Sequence, residues 1–421
     1  MSFVVPADWK SWAPAPEGSH FPIQNLPFGK FVDPETGLDE LGVRIGEQVL
    51  ALRPLADSGM LEFDADLAFD LGSLSEALGG TLSELRKTLA ELLREDCPDL
   101  RDHQKLREEA LLPCKGLEMV LPAFVHGFVD FYSGIHHATN VGKMFRPDQP
   151  PLLPNYRHLP VAYSGRASSV IVSGEAIKRP KGQFKLPGEE APDYRPTREL
   201  DFELEMGFFV GKSSNLGEPV PIEDAEKHVL GLALVNDWSA RDIQRWEYQP
   251  LGPFLAKSFG TSVSPWVVTL DALEPFRIEG AKQDPEPLPH LRSPGPSHFD
   301  IHLEIALQTK SMSRPQTISR SNTRHLYWSL AQQVAHMTSN GANLEPGDLC
   351  ASGTISGPEP GSLGSMLEIA WKGEKPVVLE ETGESRSFLE DGDTVIFTGW
   401  AERGALKVGF GELRASVFSS E

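Results

Sequence analysis

Cysteine is scarce: the 421 residues hold three, Cys97, Cys114 and Cys350. Their odd number, wide separation and lack of any CxxC pair speak against a zinc knuckle and a disulfide framework, and fit a reducing compartment. Positive charge is also short, with 39 basic residues against 60 acidic ones and a formal net charge of −21. That deficit argues against nucleic acid and anionic membrane surfaces as partners, because both require a basic face. No run approaches the roughly 18 apolar residues that span a bilayer. The opening MSFVVPADWKSWAPAPEG lacks an apolar h-region and an arginine-rich amphipathic pattern, and the final Ser-Ser-Glu matches no retention or peroxisomal tag. By elimination, the expected location is cytoplasmic. GxGxxG, a Walker loop, HExxH and GxSxG are all missing, which removes nucleotide cofactors, zinc peptidases and the usual serine hydrolases as leading readings.

What is present is ordinary globular composition, 40% hydrophobic and 24% charged, over a length that suggests two domains. Residues 1–116 read as a small β-rich unit with an attached helix, its role packing or assembly. FGKF and VRIGEQVLAL look like short strands broken by turns. Thr81 opens T-L-S-E, a capping-box pattern with Glu84, and Leu82, Leu85, Leu89, Leu92 and Leu93 then share a helical face. Residues 117–421 carry many short strand candidates: ELDFELEMGFFVG, VLGLALVND, SPWVVTL, SHFDIHLEIAL, SMLEIAWKG and DTVIFTGW. Two helices are expected among them, near Glu223–His228 and over Thr323–Ser339. Strands and helices do not alternate, so a doubly wound parallel sheet is excluded in favour of a long mixed β roll or barrel. The fold class is mainly β with a few helices, α+β.

Several carboxylates sit where chemistry is possible. Glu203 and Glu205 lie two apart, hence on one face of a strand, with Phe202, Leu204 and Met206 on the other. A solvent-facing edge is the commoner meaning of E-x-E, but the segment runs on into GFFVG as though buried. Asp237 ends the apolar run VLGLALVND, where a carboxylate serves equally as ligand or cap. Asp130 shares a strand face with Tyr132, and His136 and His137 follow a glycine-containing turn. Four carboxylates brought together would repel, and a divalent cation with all-oxygen ligation, Mg²⁺ or Ca²⁺, would resolve that repulsion. The segment NDWSARDIQRWEYQPLGPFLAKSFG holds Arg241, Gln244, Tyr248 and Lys257. It reads either as a helical turn and loop with charges outward or as a set of donors suited to an oxyanion. SGTISG is either a tight turn or a means of bringing Thr354 and backbone amides close to a carboxylate. Glu368 alternates with Leu367 and Ile369 as on a strand, either exposed or orienting a histidine.

DFYSGIHHATNVG, LLPNYRHLPVAYSGRASS, LDFELEMGFFVG, NDWSARDIQRWEYQPLGPFLAKSFGTS, NLEPGDLCASGTISG and GSMLEIAWKG together resemble the fumarylacetoacetase family, in the family's order and through most of the chain. NLPFGKF suits the family's front domain more loosely. The resemblance implies a small SH3-like barrel over 1–116, a large mixed β-roll catalytic domain over 117–421, and a homodimer. It implies hydrolysis of fumarylacetoacetate to fumarate and acetoacetate, the last step of tyrosine and phenylalanine breakdown, with Ca²⁺ and/or Mg²⁺ as cofactor. The alternative is a keto-acid decarboxylase or acylpyruvase of the same family; an assembly role without catalysis would go with loss of these residues, and none is lost. Carried over, the metal carboxylates fall on Asp130, Glu203, Glu205 and Asp237. The water-activating histidine falls on His137, which directly precedes A-T-N-V-G, and its partner on Glu368. Gly134, Ile135 and His136 occupy positions outside the family's fixed pattern. Arg241, Gln244 and Lys257 match donors around the developing charge. Tyr132, Arg146, Tyr163, Gln244, Tyr248 and Thr354 match substrate contacts. Asp237, Lys257 and Thr261 match a second cation site.

Overall fold

The computed structural model describes residues 3–420; Met1, Ser2 and Glu421, at the ends of the stretches read for targeting signals, lie outside them. Five short strands build the first sheet: Phe28–Val32 (β1), Asp39–Ile45 (β2), Gln48–Ala51 (β3), Leu111–Pro113 (β4) and Glu118–Val120 (β5), in the antiparallel order β4-β3-β2-β1-β5. VRIGEQVLAL breaks at Gly46-Glu47 into a hairpin, Ile45 opposite Gln48, because Gly46 takes a left-handed φ of +53° there. The leucine stripe forms helix α1, Ser83–Leu93, and all five of its leucines are buried. The capping box does not form. The helix begins with Leu82 as its cap, and the Thr81 hydroxyl accepts from Ser83 N instead, at 3.2 Å. Hydrogen bonding two residues on costs less chain restriction than the wider box, and the leucine face supplies the stability.

Seven strands form the central mixed sheet: Phe128–Phe131 (β6), Ala162–Ser164 (β7), Val170–Val172 (β8), Leu204–Val210 (β9), Val229–Asp237 (β10), Thr261–Val263 (β11) and Leu349–Ala351 (β12), ordered β7-β6-β12-β9-β10-β11-β8. Every residue of β9 and β10 is buried, as near-continuous apolar runs require of strands covered on both faces. A five-stranded sheet packs behind it, in the order Gln316–Asn322, His302–Gln308, Thr394–Arg403, Leu406–Phe418 and Ile177–Lys178. There HLEIALQ alternates, so that Leu303, Ile305 and Leu307 enter the core where Phe202 meets Phe397 edge-on at 5.8 Å. The architecture is the expected one, mainly β with few helices: a small N-terminal sheet domain, then a large mixed β roll.

Three segments differ from their expected form. SPWVVTL makes only isolated bridges at Val267 and Val268, Pro265 near its start being unable to donate into a ladder. SGIHHATNVGKMF, for which only a glycine-containing turn ahead of the histidines is expected, winds into helix α2, Ile135–Phe145, despite its glycines, Thr139 and Val141. SMLEIAW is not a strand: Met366–Ile369 is one helical turn capped by the Ser365 hydroxyl. Of the two expected helices, the first is a 3₁₀ turn at Ala225–His228, and the second runs from Leu330 to Thr338 behind a Ser329–Gln332 capping box. Among the described residues, no helix is long and apolar enough to cross a membrane.

Candidate active site

Sheet register brings distant residues together. Asp130 on β6 stands opposite Tyr163 on one side and Ala351 on the other; Ala351 faces Gly207, and Gly207 faces Ala233. Steps of two along β9 and β10 reach Glu205 and Asp237 on the same face, and Asp237 pairs with Thr261. The two-residue side-chain period therefore delivers Tyr163, Asp130, Glu205, Asp237 and Thr261 to one face of one sheet. Glu203, just ahead of β9, joins them. Asp130, Glu203 and Glu205 each bring a carboxylate oxygen within 4.8 Å of the others, and all three are buried. The solvent-edge reading of E-x-E is thereby overturned, since Glu205 is wholly enclosed.

Charge is distributed unevenly within this cluster. Lys257 bridges Glu203 and Asp237, bonding the first closely and the second at 3.0 Å, while Arg241 Nη2 lies 2.8 Å from Glu203 Oε1. Burial works against ionisation of Glu203, but Lys257, Arg241 and His137 outweigh it and hold its carboxyl well below the usual range. Burial likewise disfavours the charged forms of Lys257 and Arg241, yet their carboxylates raise both above their ordinary values. Asp237 is fully bonded: Tyr163 donates to it at 2.7 Å and Thr261 at 2.8 Å, besides Lys257. Asp130 and Glu205 differ. Asp130 Oδ1 and Glu205 Oε1 are buried without a hydrogen-bond partner, and burial together with the neighbouring carboxylates pushes both groups far upward. Buried unpaired carboxylate oxygens in an all-oxygen donor set fit a hard divalent cation.

Helix α2 presents His137 beside this cluster. Its Nδ1 lies 2.6 Å from Glu368 Oε2, and its Nε2 lies 3.9 Å from Glu203 Oε1. Glu368 in turn accepts from Asn140 at 2.9 Å, from Ser356 at 2.8 Å and from Ser365 at 2.8 Å. Burial opposes its charge, but His137 and these donors hold it below its ordinary value. Tyr132 meets the His137 ring edge-on at 5.5 Å. His136 points elsewhere, packing against His325 at 5.8 Å. Two glycines permit the close approach of these elements. A Cβ on Gly134, which caps α2, would lie 2.2 Å from Thr354 O; Gly353, at φ +77°, would place one 2.3 Å from Phe131 O.

A cavity of about 410 Å³ opens over this face. Asp130, Tyr132, His137, Arg146, Tyr163, Glu203, Arg241, Gln244, Tyr248, Lys257 and Thr354 all line it; Glu205, Asp237, Thr261 and Glu368 stand behind these walls. Arg241 Nη1 donates to Gln244 Oε1 at 3.1 Å, and both belong to a short helix, Arg241–Glu247. Arg146 spends one nitrogen on Pro151 O at 3.0 Å and keeps Nε buried and unpaired, as is Thr354 Oγ1. Asn140, Ser356, Ser365 and Asp201 are not singled out by the sequence patterns. Asn140 follows His137 by three, a same-face spacing only on a helix, and Asp201 extends E-x-E to D-x-E-x-E.

Comparison with known proteins spans the chain. Residues 24–122 match the family described as Fumarylacetoacetase N-terminal, and residues 128–418 match Fumarylacetoacetate (FAA) hydrolase C-terminal. The chain is 48% identical over 412 residues to the fumarylacetoacetase of Rattus norvegicus, and 49% identical over 413 residues to that of Homo sapiens. Each alignment covers 97% of this chain and 98% of the relative. Among solved structures, a fumarylacetoacetate hydrolase from psychrophilic Exiguobacterium antarcticum superposes with a TM-score of 0.53 at 16% identity, over 94% of this chain and 99% of that one. At that identity the likeness concerns the fold alone.

Proposed function

The chain belongs to the fumarylacetoacetate hydrolase family, and on that premise we propose that it hydrolyses fumarylacetoacetate to fumarate and acetoacetate. It is an enzyme acting on a carbon–carbon bond in a ketonic substrate, the step that ends tyrosine and phenylalanine breakdown. The observation that carries this reading is the buried carboxylate cluster set beside the His137–Glu368 pair in one cavity. The decarboxylase or acylpyruvase alternative is not favoured, because the fumarylacetoacetases match nearly the full length.

Asp130, Glu203, Glu205 and Asp237 would hold a divalent cation, Ca²⁺ and/or Mg²⁺, which when bound supplies Lewis-acid polarisation and a template for the diketone oxygens. A second cation at Asp237, Lys257 and Thr261 would use main-chain oxygen from Lys257, whose ammonium has no lone pair to offer. Glu368, accepting at Nδ1–H, fixes the tautomer that leaves His137 Nε2 free to take a proton from water. The water oxygen bonds to one carbonyl carbon, the carbon–carbon bond breaks, and its electron pair departs as an enolate. The proton held on His137 is returned to the enolate carbon that took the electron pair of the broken bond. Arg241, Gln244 and Lys257 supply donors where negative charge grows, and Arg146 with Tyr132, Tyr163, Tyr248 and Thr354 grips the substrate's polar ends. We further propose a cytoplasmic homodimer without nucleic-acid partners, consistent with the net charge of −21, in which the N-terminal domain, read from sequence as residues 1–116, serves packing or assembly.

The test is to incubate the purified, metal-analysed protein with fumarylacetoacetate and with oxaloacetate. Loss of diketone absorbance with the first and no carbon dioxide from the second is expected; the reverse pattern would reject the reading.

A further inference from the structure

We propose that Asp201 is a positioning residue that sets two parts of the catalytic apparatus at once. The inference rests on the function proposed above and adds a residue to it. Asp201 is completely buried two positions ahead of Glu203, in a short strand segment opposite Ser239. Its Oδ1 accepts from Phe202 N at 2.8 Å and from Met366 N at 2.7 Å. Its Oδ2 accepts from Leu367 N at 3.0 Å and from Arg241 Nε at 2.8 Å.

Three of those four donors belong to two different working parts. Met366 and Leu367 open the single helical turn that carries Glu368, and Glu368 holds His137. Arg241 extends a terminal nitrogen, Nη2, to Glu203. One carboxylate therefore locks the base's partner and the charge-stabilising arginine into a common frame, without itself lining the cavity. A turn of only four residues has little stability alone, so its orientation depends on Ser365 at its cap and on Asp201 beneath it. All four partners are N–H donors, which is why a carboxylate is needed. An asparagine of the same shape would turn an NH₂ group toward two of them.

The experiment compares the metal-loaded wild type with Asp201→Asn, alone and combined with Arg241→Lys, in turnover of fumarylacetoacetate. A misplacement near 1 Å costs about 10²-fold, so kcat should fall by about that factor in Asp201→Asn, with KM within about threefold of wild type and metal content unchanged. In the Arg241→Lys background the same substitution should cost at least about tenfold less, because one of its two routes is already broken. A residue with only a structural role would cost the same factor in both backgrounds. Where Asp201→Asn does not fold, Asp201→Glu, which keeps the charge but shifts it by one methylene, should show the same loss of kcat. A wild-type kcat in either folded variant, an equal factor in both backgrounds, or failure of both variants to fold would overturn the proposal. Inactive wild-type protein would instead reject the proposed function itself.

Discussion

The four carboxylates at the end of the central sheet divide into two unlike pairs. Glu203 and Asp237 are neutralised from within the chain, by Lys257 between them and by Arg241, Tyr163 and Thr261 around them. Asp130 and Glu205, on the same face and equally buried, each keep an oxygen with no protein partner. Burying an unpaired charge is costly, and a fold that tolerates two of them side by side needs compensation from outside. The contrast teaches that the chain's own cations compensate one pair and leave the other without a counter-charge, the place where the proposed divalent cation would act.

The comparison yields graded expectations. The largest concerns His137, whose free nitrogen faces the partnered side. His137→Ala should lower kcat on fumarylacetoacetate by about 10²–10⁴-fold while the metal content of the purified protein stays at the wild-type level. Near-normal turnover would remove His137 as the base. Next comes Lys257→Met, which strips the shared cation from Glu203 and Asp237. Breaking a buried ion pair from one side costs about 3–5 kcal/mol, to be read from urea unfolding of the chelator-treated protein. A shift below about 1 kcal/mol there would mean that the partnered pair is held by something else.

Glu205→Gln probes the other pair. In chelator-treated protein it should be at least as stable as wild type, because burial and the neighbouring carboxylates already oppose a charge at that position. Ca²⁺ or Mg²⁺ at about 100 times Kd should stabilise the wild type by about 2.7 kcal/mol and leave the variant's melting temperature unmoved. An equal response in both proteins would break the contrast drawn above. The smallest effect belongs to Thr261→Val, which deletes one of three bonds to Asp237. A loss of about 1–2 kcal/mol is expected in thermal melts of the chelator-treated protein.

The sequence carried the sheet-borne half of the site well and the helix-borne half poorly. Strand patterns are local: the alternation in LDFELEMGFFVG and the apolar run of VLGLALVND are visible residue by residue, so the placement of Glu203, Glu205 and Asp237 follows from the pattern of side chains along the chain. His137 and Glu368 were found through family likeness rather than periodicity. SGIHHATNVGKMF contains glycines, Thr139 and Val141, which disfavour a helix in isolation, and it becomes α2 through packing against the roll. SMLEIAW alternates like a strand, yet Ser365 below and Asp201 beside it fold it into a single turn. Asp201 shows in the sequence only as the extension of E-x-E to D-x-E-x-E, and its role lies in four donors drawn from three separate stretches of chain.

The 231 positions that separate His137 from Glu368 also bear on how the protein is made. A ribosome will have released the histidine, all four acidic residues and the arginine long before the glutamate emerges. Strand β12, which stands between β6 and β9 in the central sheet, is also made late, so Asp130 and Glu205 are joined only shortly before Glu368 emerges. The His137–Glu368 pair therefore cannot assemble until nearly the whole chain has been made.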